Sequence, residues 1–258
     1  INHCRCGDIF QANLSRRIQL QVEGEPKDLF KRLVAKSPAA FSAYLSPGPG
    51  LAVASSSPEE FLRVEGNHVR TRPIKGTRPR GKDAVEDAFM AKTLRESGKD
   101  FAELTMIVDL MRNDLGHVAR PGSVRVTEFP ELMTLPQVFH LYGTVEADLD
   151  EGKDVLDLLA ASFPPGSISG APKAKAIEIL EMVERSRRGV YTGSIGYIEP
   201  GRRTHLNVAI RTAEWGRGLL RFGVGGGITV GSEPSAEFEE TEDKARGLAL
   251  ALGIERLP

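Results

Sequence analysis

The 258 residues carry 34 Lys and Arg against 35 Asp and Glu, a formal net charge of −1, and 40% of them are hydrophobic. That is enough apolar material for one large domain or two lobes. A balance this close to neutral excludes a general pull toward nucleic acid or an anionic membrane, so neither is expected as a partner and any charge-based function has to be local.

The chain starts at Ile1 rather than Met and enters strand-like sequence almost at once, as a fragment lacking an N-terminal region would. Cys4 and Cys6 lie in HCRCGD beside His3. A metal site there would need further ligands, and no second cysteine pair exists. We read them as incidental thiols suited to a reducing cytoplasm. No signal peptide is present, and no apolar run approaches the roughly 20 residues of a membrane span.

Strand-like runs follow at 9–22, 41–45, 51–55 and 60–74, the last interrupted by the hairpin signal Glu65-Gly66-Asn67. A helical stretch from about Asp83 to Leu115 breaks near Ser97-Gly98 and stops at Gly116. Short strands are expected near 123–128 and 138–148, and helices near 153–161 and 172–187. Residues 190–230 read as a strand meander with Gly-rich turns, and a last helix covers about Pro234 to Leu252. Successive strands with short turns, and helices in blocks, predict an α+β fold with antiparallel pairing rather than a doubly wound parallel sheet. We take residues 1–258 as one folded unit, with room for two lobes.

Two helices carry acidic pairs. In KDFAELTMIVDLMRNDLG, Asp100 and Glu103 are i and i+3 beside an apolar stripe of Phe101, Leu104, Val108, Met111 and Leu115. In SEPSAEFEETEDKARGLAL, Glu237 and Glu240 repeat the spacing, with Lys244 four residues after Glu240 and a stripe of Phe238, Ala245, Leu248 and Leu252. Such pairs either hold a hard cation such as Mg²⁺ or form ordinary solvated helix edges. FPPGSISGAPKAK, 163–175, is a glycine- and serine-rich entry to a helix, whose N–H groups would favour an anion. GVGGGI, 223–228, brings backbone close to a ligand or another strand, or turns a tight hairpin. Tyr191, Arg211 and His140 fall in strand-like runs; an arginine on a buried face needs an anion, and a strand histidine is commonly a core residue. Lys75 sits alone in RPIKGTRPRG among Arg72, Arg78 and Arg80.

In this order, GDIFQANLSRR, SSPEEF, RPIKGTRPRG, AELTMIVDLMRNDLG, FPPGSISGAPKAKAIEI, YTGSIGY, VAIRT, GVGGGI and AEFEETEDKA resemble the chorismate-binding enzymes over nearly the whole chain. The resemblance implies two packed lobes of antiparallel sheet and helix, the anthranilate-synthase-like fold, with the active site between them. It also implies Mg²⁺ and chorismate. It assigns Glu103 and Glu240 as metal ligands, with Asp100 and Glu237 as an outer pair holding metal-bound waters. Tyr191, Arg211 and Lys244, with backbone N–H groups around Gly225, Gly226 and Gly227, resemble the residues that hold the substrate carboxylates. Ser167 resembles a ring-side contact, Glu59 the acid that assists loss of the C4 hydroxyl, and His140 a histidine that lines the site in the anthranilate branch.

Lys75 resembles the aminodeoxychorismate branch, which aminates chorismate at C4 through a lysine adduct at C2; the anthranilate branch usually has alanine there and aminates C2 directly. Such a lysine must be neutral, and Arg72, Arg78 and Arg80 are candidate charges to lower its pKa. Gln11 stands where isochorismate-forming members carry a base lysine, which argues against water as nucleophile. The chain holds no glutaminase motif, so the resemblance implies ammonia from a glutamine amidotransferase partner, separate or fused. Three readings stand: C4 amination, C2 amination, and a chorismate-binding relative without turnover.

Overall fold

The computed structural model describes residues 1–201, 203–255 and 257. In chain order the first elements are α1 (Asn2–Arg5), β1 (Gln11–Gln21), α2 (Pro26–Lys36), β2 (Phe41–Gly48), β3 (Leu51–Ser57), β4 (Glu60–Glu65), β5 (His68–Arg72) and β6 (Ile74–Pro79). There follow α3 (Ala84–Arg95), α4 (Gly98–Gly116), β7 (Arg125–Thr134), β8 (Val138–Asp148) and α5 (Val155–Ser162). After a 3₁₀ turn at Gly166–Ile168 come β9 (Gly170–Ala171), α6 (Lys173–Val183), β10 (Gly196–Glu199), β11 (Arg203–Asn207), β12 (Thr212–Gly216), β13 (Leu219–Ile228) and α7 (Pro234–Ala251).

Local chemistry sets most of these bounds. Asp83 caps α3 by accepting from the N–H groups of Val85 and Glu86, and Ser97 caps α4 by accepting from Asp100. Asp154 and Asp157 form a reciprocal capping box on α5. Pro234 opens α7, where a missing N–H costs nothing. Gly66, at φ 65°, turns the β4–β5 hairpin. Before the first strand, Asn2–Arg5 form one helical turn that carries Cys4.

The contacts divide the chain into two compact units. The first comprises Ile1–Pro58, Ile168–Ile195 and Asn207–Pro258. Its six-stranded sheet has the order β2-β3-β12-β13-β1-β9, and its strands pair antiparallel. Helices α2 and α7 pack on each other and onto β3 and β13, enclosing Ile18, Leu33, Phe222, Leu248 and Leu252. Helix α6 covers β1 and β9 through Ala176, Ile179 and Leu180. Phe238, expected in the stripe of α7, is instead 56% exposed, with the Arg16 guanidinium over its ring.

The second unit comprises Glu59–Ser167 and Gly196–Leu206. Its seven-stranded sheet runs β10-β11-β4-β5-β8-β6, with β7 on β8. Helix α4 packs on β8, burying Leu104, Ile107, Met111 and Leu115 in the same unit as Leu141 and Val145. Phe101, placed on that stripe by its spacing, lies at its edge against Phe129, ring centroids 5.5 Å apart. Leu104 has no exposed surface, so Leu104→Ala should cost about 2–5 kcal/mol, read as a lower urea midpoint at unchanged m-value.

Candidate active site

In the second unit, Glu59 sits at the entry to β4 and is buried. Burial pushes its carboxyl up to about 7, opposed by the Ser167 hydroxyl, the Lys75 ammonium and the Ile74 N–H. Lys75, half-buried on β6, donates from Nζ to the Ser167 carbonyl at 3.1 Å. Glu59, Lys75 and Ser167, far apart in sequence, therefore converge. Gly76 holds this turn at φ 68°, and a Cβ there would lie 2.9 Å from Asp100 Cγ and 2.8 Å from Leu94 Cδ1, so a larger residue is excluded. On β8, His140 is buried, with Nδ1 2.9 Å from the Gly76 carbonyl and 3.1 Å from Thr77 Oγ1. A carbonyl only accepts, so Nδ1 carries the proton.

The arginines around Lys75 each carry a carboxylate partner: Arg72 pairs with Glu128, Arg78 with Asp100 and Arg80 with Asp87. Each of these carboxylates comes from a separate element, and the Lys75 ammonium acts on Glu59. The acidic pair on α4 is likewise relieved: Arg78 Nη2 lies 3.0 Å from Asp100 Oδ2, and Lys99 Nζ 3.9 Å from Glu103 Oε1.

In the first unit, GVGGGI is neither a hairpin nor a turn. It is the end of β13, paired residue for residue with β1: Ser15 opposite Gly225, Leu14 opposite Gly226, Asn13 opposite Gly227. Strand β12 pairs with β13 only up to Phe222, leaving the other edge of the glycine run without a strand. The N–H groups of Asn13 and Ser15 bond to the Ser169 carbonyl and to Glu184, away from β13. By the alternation of an antiparallel ladder, Gly225 and Gly227 turn their own N–H groups to the open edge. Glu237 and Glu240 meet the same stretch, with oxygens 3.2 and 3.9 Å from where a Cβ on Gly226 would stand. Glu237 is buried and accepts from Ser232 Oγ at 2.7 Å. Lys244 Nζ lies 2.6 Å from Glu240 Oε1 and donates to the Gly225 carbonyl at 2.8 Å.

Tyr191 and Arg211 lie outside the strands expected for them. Tyr191 occupies the turn between α6 and β10, its ring against Gly223, where a Cβ would come within 2.2 Å. Burial raises its phenol well above the usual range, while Arg188 and the Asn13 side chain act in the opposite direction. Arg211 sits in the bend before β12 at φ 48°, and burial alone lowers its pKa. With no carboxylate acting on it among the described residues, the guanidinium is suited to a guest anion. Gln11 is buried at 1% exposure, its Oε1 lacks a hydrogen-bond partner, and its Nε2 crowds Gly227. Sequence reasoning missed three residues that act on Tyr191: Asn13, distant in sequence, and its close neighbours Glu184 and Arg188. A polar pocket of about 240 Å³ in the second unit is lined by Arg63, Glu65, Tyr197, Arg203 and His205.

The profile of the chorismate binding enzymes matches residues 1–249. The chain belongs to that family. It is 46% identical over 238 residues to aminodeoxychorismate synthase component 1 of Salmonella typhimurium, covering 92% of this chain and 52% of that one. It is 42% identical over 250 residues to anthranilate synthase component 1 of Streptomyces coelicolor, covering 97% and 49%. The crystal structure of anthranilate synthase component I from Streptococcus pneumoniae superposes with a TM-score of 0.87 at 34% identity, covering 96% of this chain and 55% of that one. The chain thus spans about half the length of the curated relatives it matches.

For a chorismate binding enzyme the acidic pairs bear on a metal. Among the described residues, no three His, Cys, Asp or Glu stand together as a metal site. The donors at Gly226 are nonetheless all carboxylate oxygen, and Lys244 already places a cation on Glu240. That chemistry fits Mg²⁺, which commonly takes one or two protein carboxylates plus waters and an anionic substrate.

Because the Glu59 carboxyl rises from 4.5 unfolded to about 7 folded, its contribution is fully present below pH 4.5 and is lost as pH climbs through 7. The difference is on the order of 3 kcal/mol. Urea unfolding of wild type should therefore weaken between pH 5 and pH 8 relative to Glu59→Gln, which cannot ionise. Parallel stability profiles for the two proteins would show that Glu59 ionises normally.

Proposed function

We propose that the chain aminates chorismate at C4 with ammonia, giving 4-amino-4-deoxychorismate for 4-aminobenzoate and folate synthesis. The observation that carries this reading is the Glu59–Lys75–Ser167 cluster, a lysine beside a carboxyl held near neutrality. Neutral Lys75 adds to C2, the ring double bonds shift, and the C4–O bond breaks as Glu59 protonates the departing hydroxyl to water. The secondary ammonium so formed returns its proton to Glu59. Ammonia then adds to C4, the double bonds shift back, and the C2–N bond breaks, Lys75 leaving neutral with a proton from Glu59, which regains it from the new C4 ammonium. The net change is chorismate plus ammonia to the 4-amino product plus water.

Arg211, Tyr191, Lys244 and the N–H groups of Gly225 and Gly227 hold the substrate carboxylates, with Gly226 giving the ring side room. Arg211 supports this role because, among the described residues, no carboxylate offsets it. Ser167 and His140 line the ring. The buried Gln11 oxygen gives ammonia an acceptor, where a lysine would deprotonate water. Glu103 and Glu240 would hold Mg²⁺, and Asp100 and Glu237 its waters. Bound there, Mg²⁺ supplies positive charge that neutralises and orients a substrate carboxylate. Ammonia comes from a glutamine amidotransferase, separate or fused, as the component 1 names of the relatives suggest.

The test is the mass and retention time of the product from chorismate, Mg²⁺ and ammonium. Wild type should give the 4-amino product, and Glu59→Gln should slow it about 100-fold or more. Lys75→Ala should lose the 4-amino product, and Lys75→Arg should not restore it, since guanidinium stays protonated. A 2-aminated product from wild type would instead establish the anthranilate-type reaction. Binding without turnover would make the chain a non-catalytic relative. Separately, Glu240→Gln should abolish turnover with little change in Tm, and full activity in excess chelator would remove Mg²⁺ from the scheme.

A further inference from the structure

The most densely bonded side chain of the first unit lies outside every role described above. Arg188 donates from Nε to Glu184 Oε2 at 2.8 Å and from Nη2 to Glu184 Oε1 at 2.6 Å. It also donates to the Asn13 carbonyl at 2.6 Å, the Ile168 carbonyl at 2.9 Å and Thr192 Oγ1 at 3.4 Å. Glu184 Oε1 accepts from Ser15 as well, from N and Oγ at 2.9 Å each. One ion pair therefore ties together the middle of β1, the turn at Ile168 and the loop after α6. The two side chains are 19% and 9% exposed. A buried pair of this kind is a poor source of net stability, because desolvation offsets much of its attraction. Its specificity lies in geometry: a planar fork satisfies several acceptors in one arrangement.

That arrangement surrounds Tyr191. Thr192 follows it at φ 65°, a conformation unusual for a β-branched residue. Three bonds hold Thr192: Arg188 on its Oγ1, its own Oγ1 donating to the Tyr191 carbonyl at 2.6 Å, and its N–H donating to the Ala209 carbonyl at 2.9 Å. Asn13, whose carbonyl Arg188 fixes, is the side-chain partner of the Tyr191 phenol. Arg188 thus grips Tyr191 from the following residue and from the partner of its hydroxyl. We propose that Arg188, braced by Glu184, is a positioning residue that sets the Tyr191 hydroxyl for a substrate carboxylate. This rests on the chorismate reading of the same site.

The experiment is steady-state kinetics with chorismate on wild type, Arg188→Lys, Tyr191→Phe and the double variant. Lysine keeps the charge but cannot fork. Arg188→Lys should raise KM about tenfold with kcat within about threefold, the signature of lost binding rather than lost chemistry. In the Tyr191→Phe background the same change should cost less than about twofold, because the group being positioned is gone. Should Arg188→Lys fail to fold, Glu184→Gln, which keeps one acceptor oxygen, should raise KM by about threefold and show the same loss of effect without the Tyr191 hydroxyl. An unchanged KM with reduced kcat and Tm, or full additivity with Tyr191→Phe, overturns the assignment and leaves Arg188 a structural residue. Wild-type chain that turns over no chorismate removes the functional reading, and this role with it.

Discussion

The antiparallel register of β1 on β13, from Ala12 opposite Ile228 to Gln21 opposite Leu219, is the constraint on which the first unit depends. At one end it places Ile18 opposite Phe222 in the core between the sheet and its helices. At the other it sends the N–H groups of Asn13 and Ser15 outward, which leaves those of Gly225 and Gly227 facing the edge that β12 does not reach. A slip of one residue would reverse every one of these directions, because a strand alternates with period two. The bulky residues of the core half penalise such a slip, and the glycines of the other half then keep their orientation without side chains of their own. Packing at one end of the strand thereby fixes hydrogen-bond donors at the other.

The second unit works by a different means. Its distinctive group is a carboxyl kept neutral by dryness. Glu59 has a hydroxyl, an N–H and an ammonium favouring its charged form, and burial outweighs them all. The three neighbouring arginines pair with Glu128, Asp100 and Asp87. A carboxyl held at about 7 can carry or release a proton near neutral pH, as general acid–base chemistry requires.

Much of this was legible in the sequence wherever one residue's chemistry decides a local outcome. The capping residues Asp83, Ser97 and Asp154, and the hairpin glycine Gly66, mark element ends. The i, i+3 acidic spacing put Glu237 and Glu240 side by side, and both do meet Gly226. Legibility failed where a residue adopts a conformation its type disfavours: Thr192 and Arg211 have positive φ, so the strands read through Tyr191 and Arg211 are broken there. Glycines suggest a turn by default, and only the partner strand reveals that GVGGGI is extended. Long-range polar contacts were invisible, since nothing local links Ser15 to Glu184, 169 positions away.

Much of the frame around Lys75 is built by its neighbours. Gly76 fixes the backbone, β6 pairs with β8 on either side, and the arginines anchor to α3, α4 and β7 by their own ion pairs. The lysine side chain reaches away from all of this to the Ser167 carbonyl. Position 75 is therefore a socket, in which the residue can change without rebuilding what surrounds it. Under the reaction proposed above, a scaffold of this kind is evolvable at one codon: reaction outcome and fold stability would be under separate control. Drift at position 75 would be filtered by the product it yields rather than by whether the chain still folds.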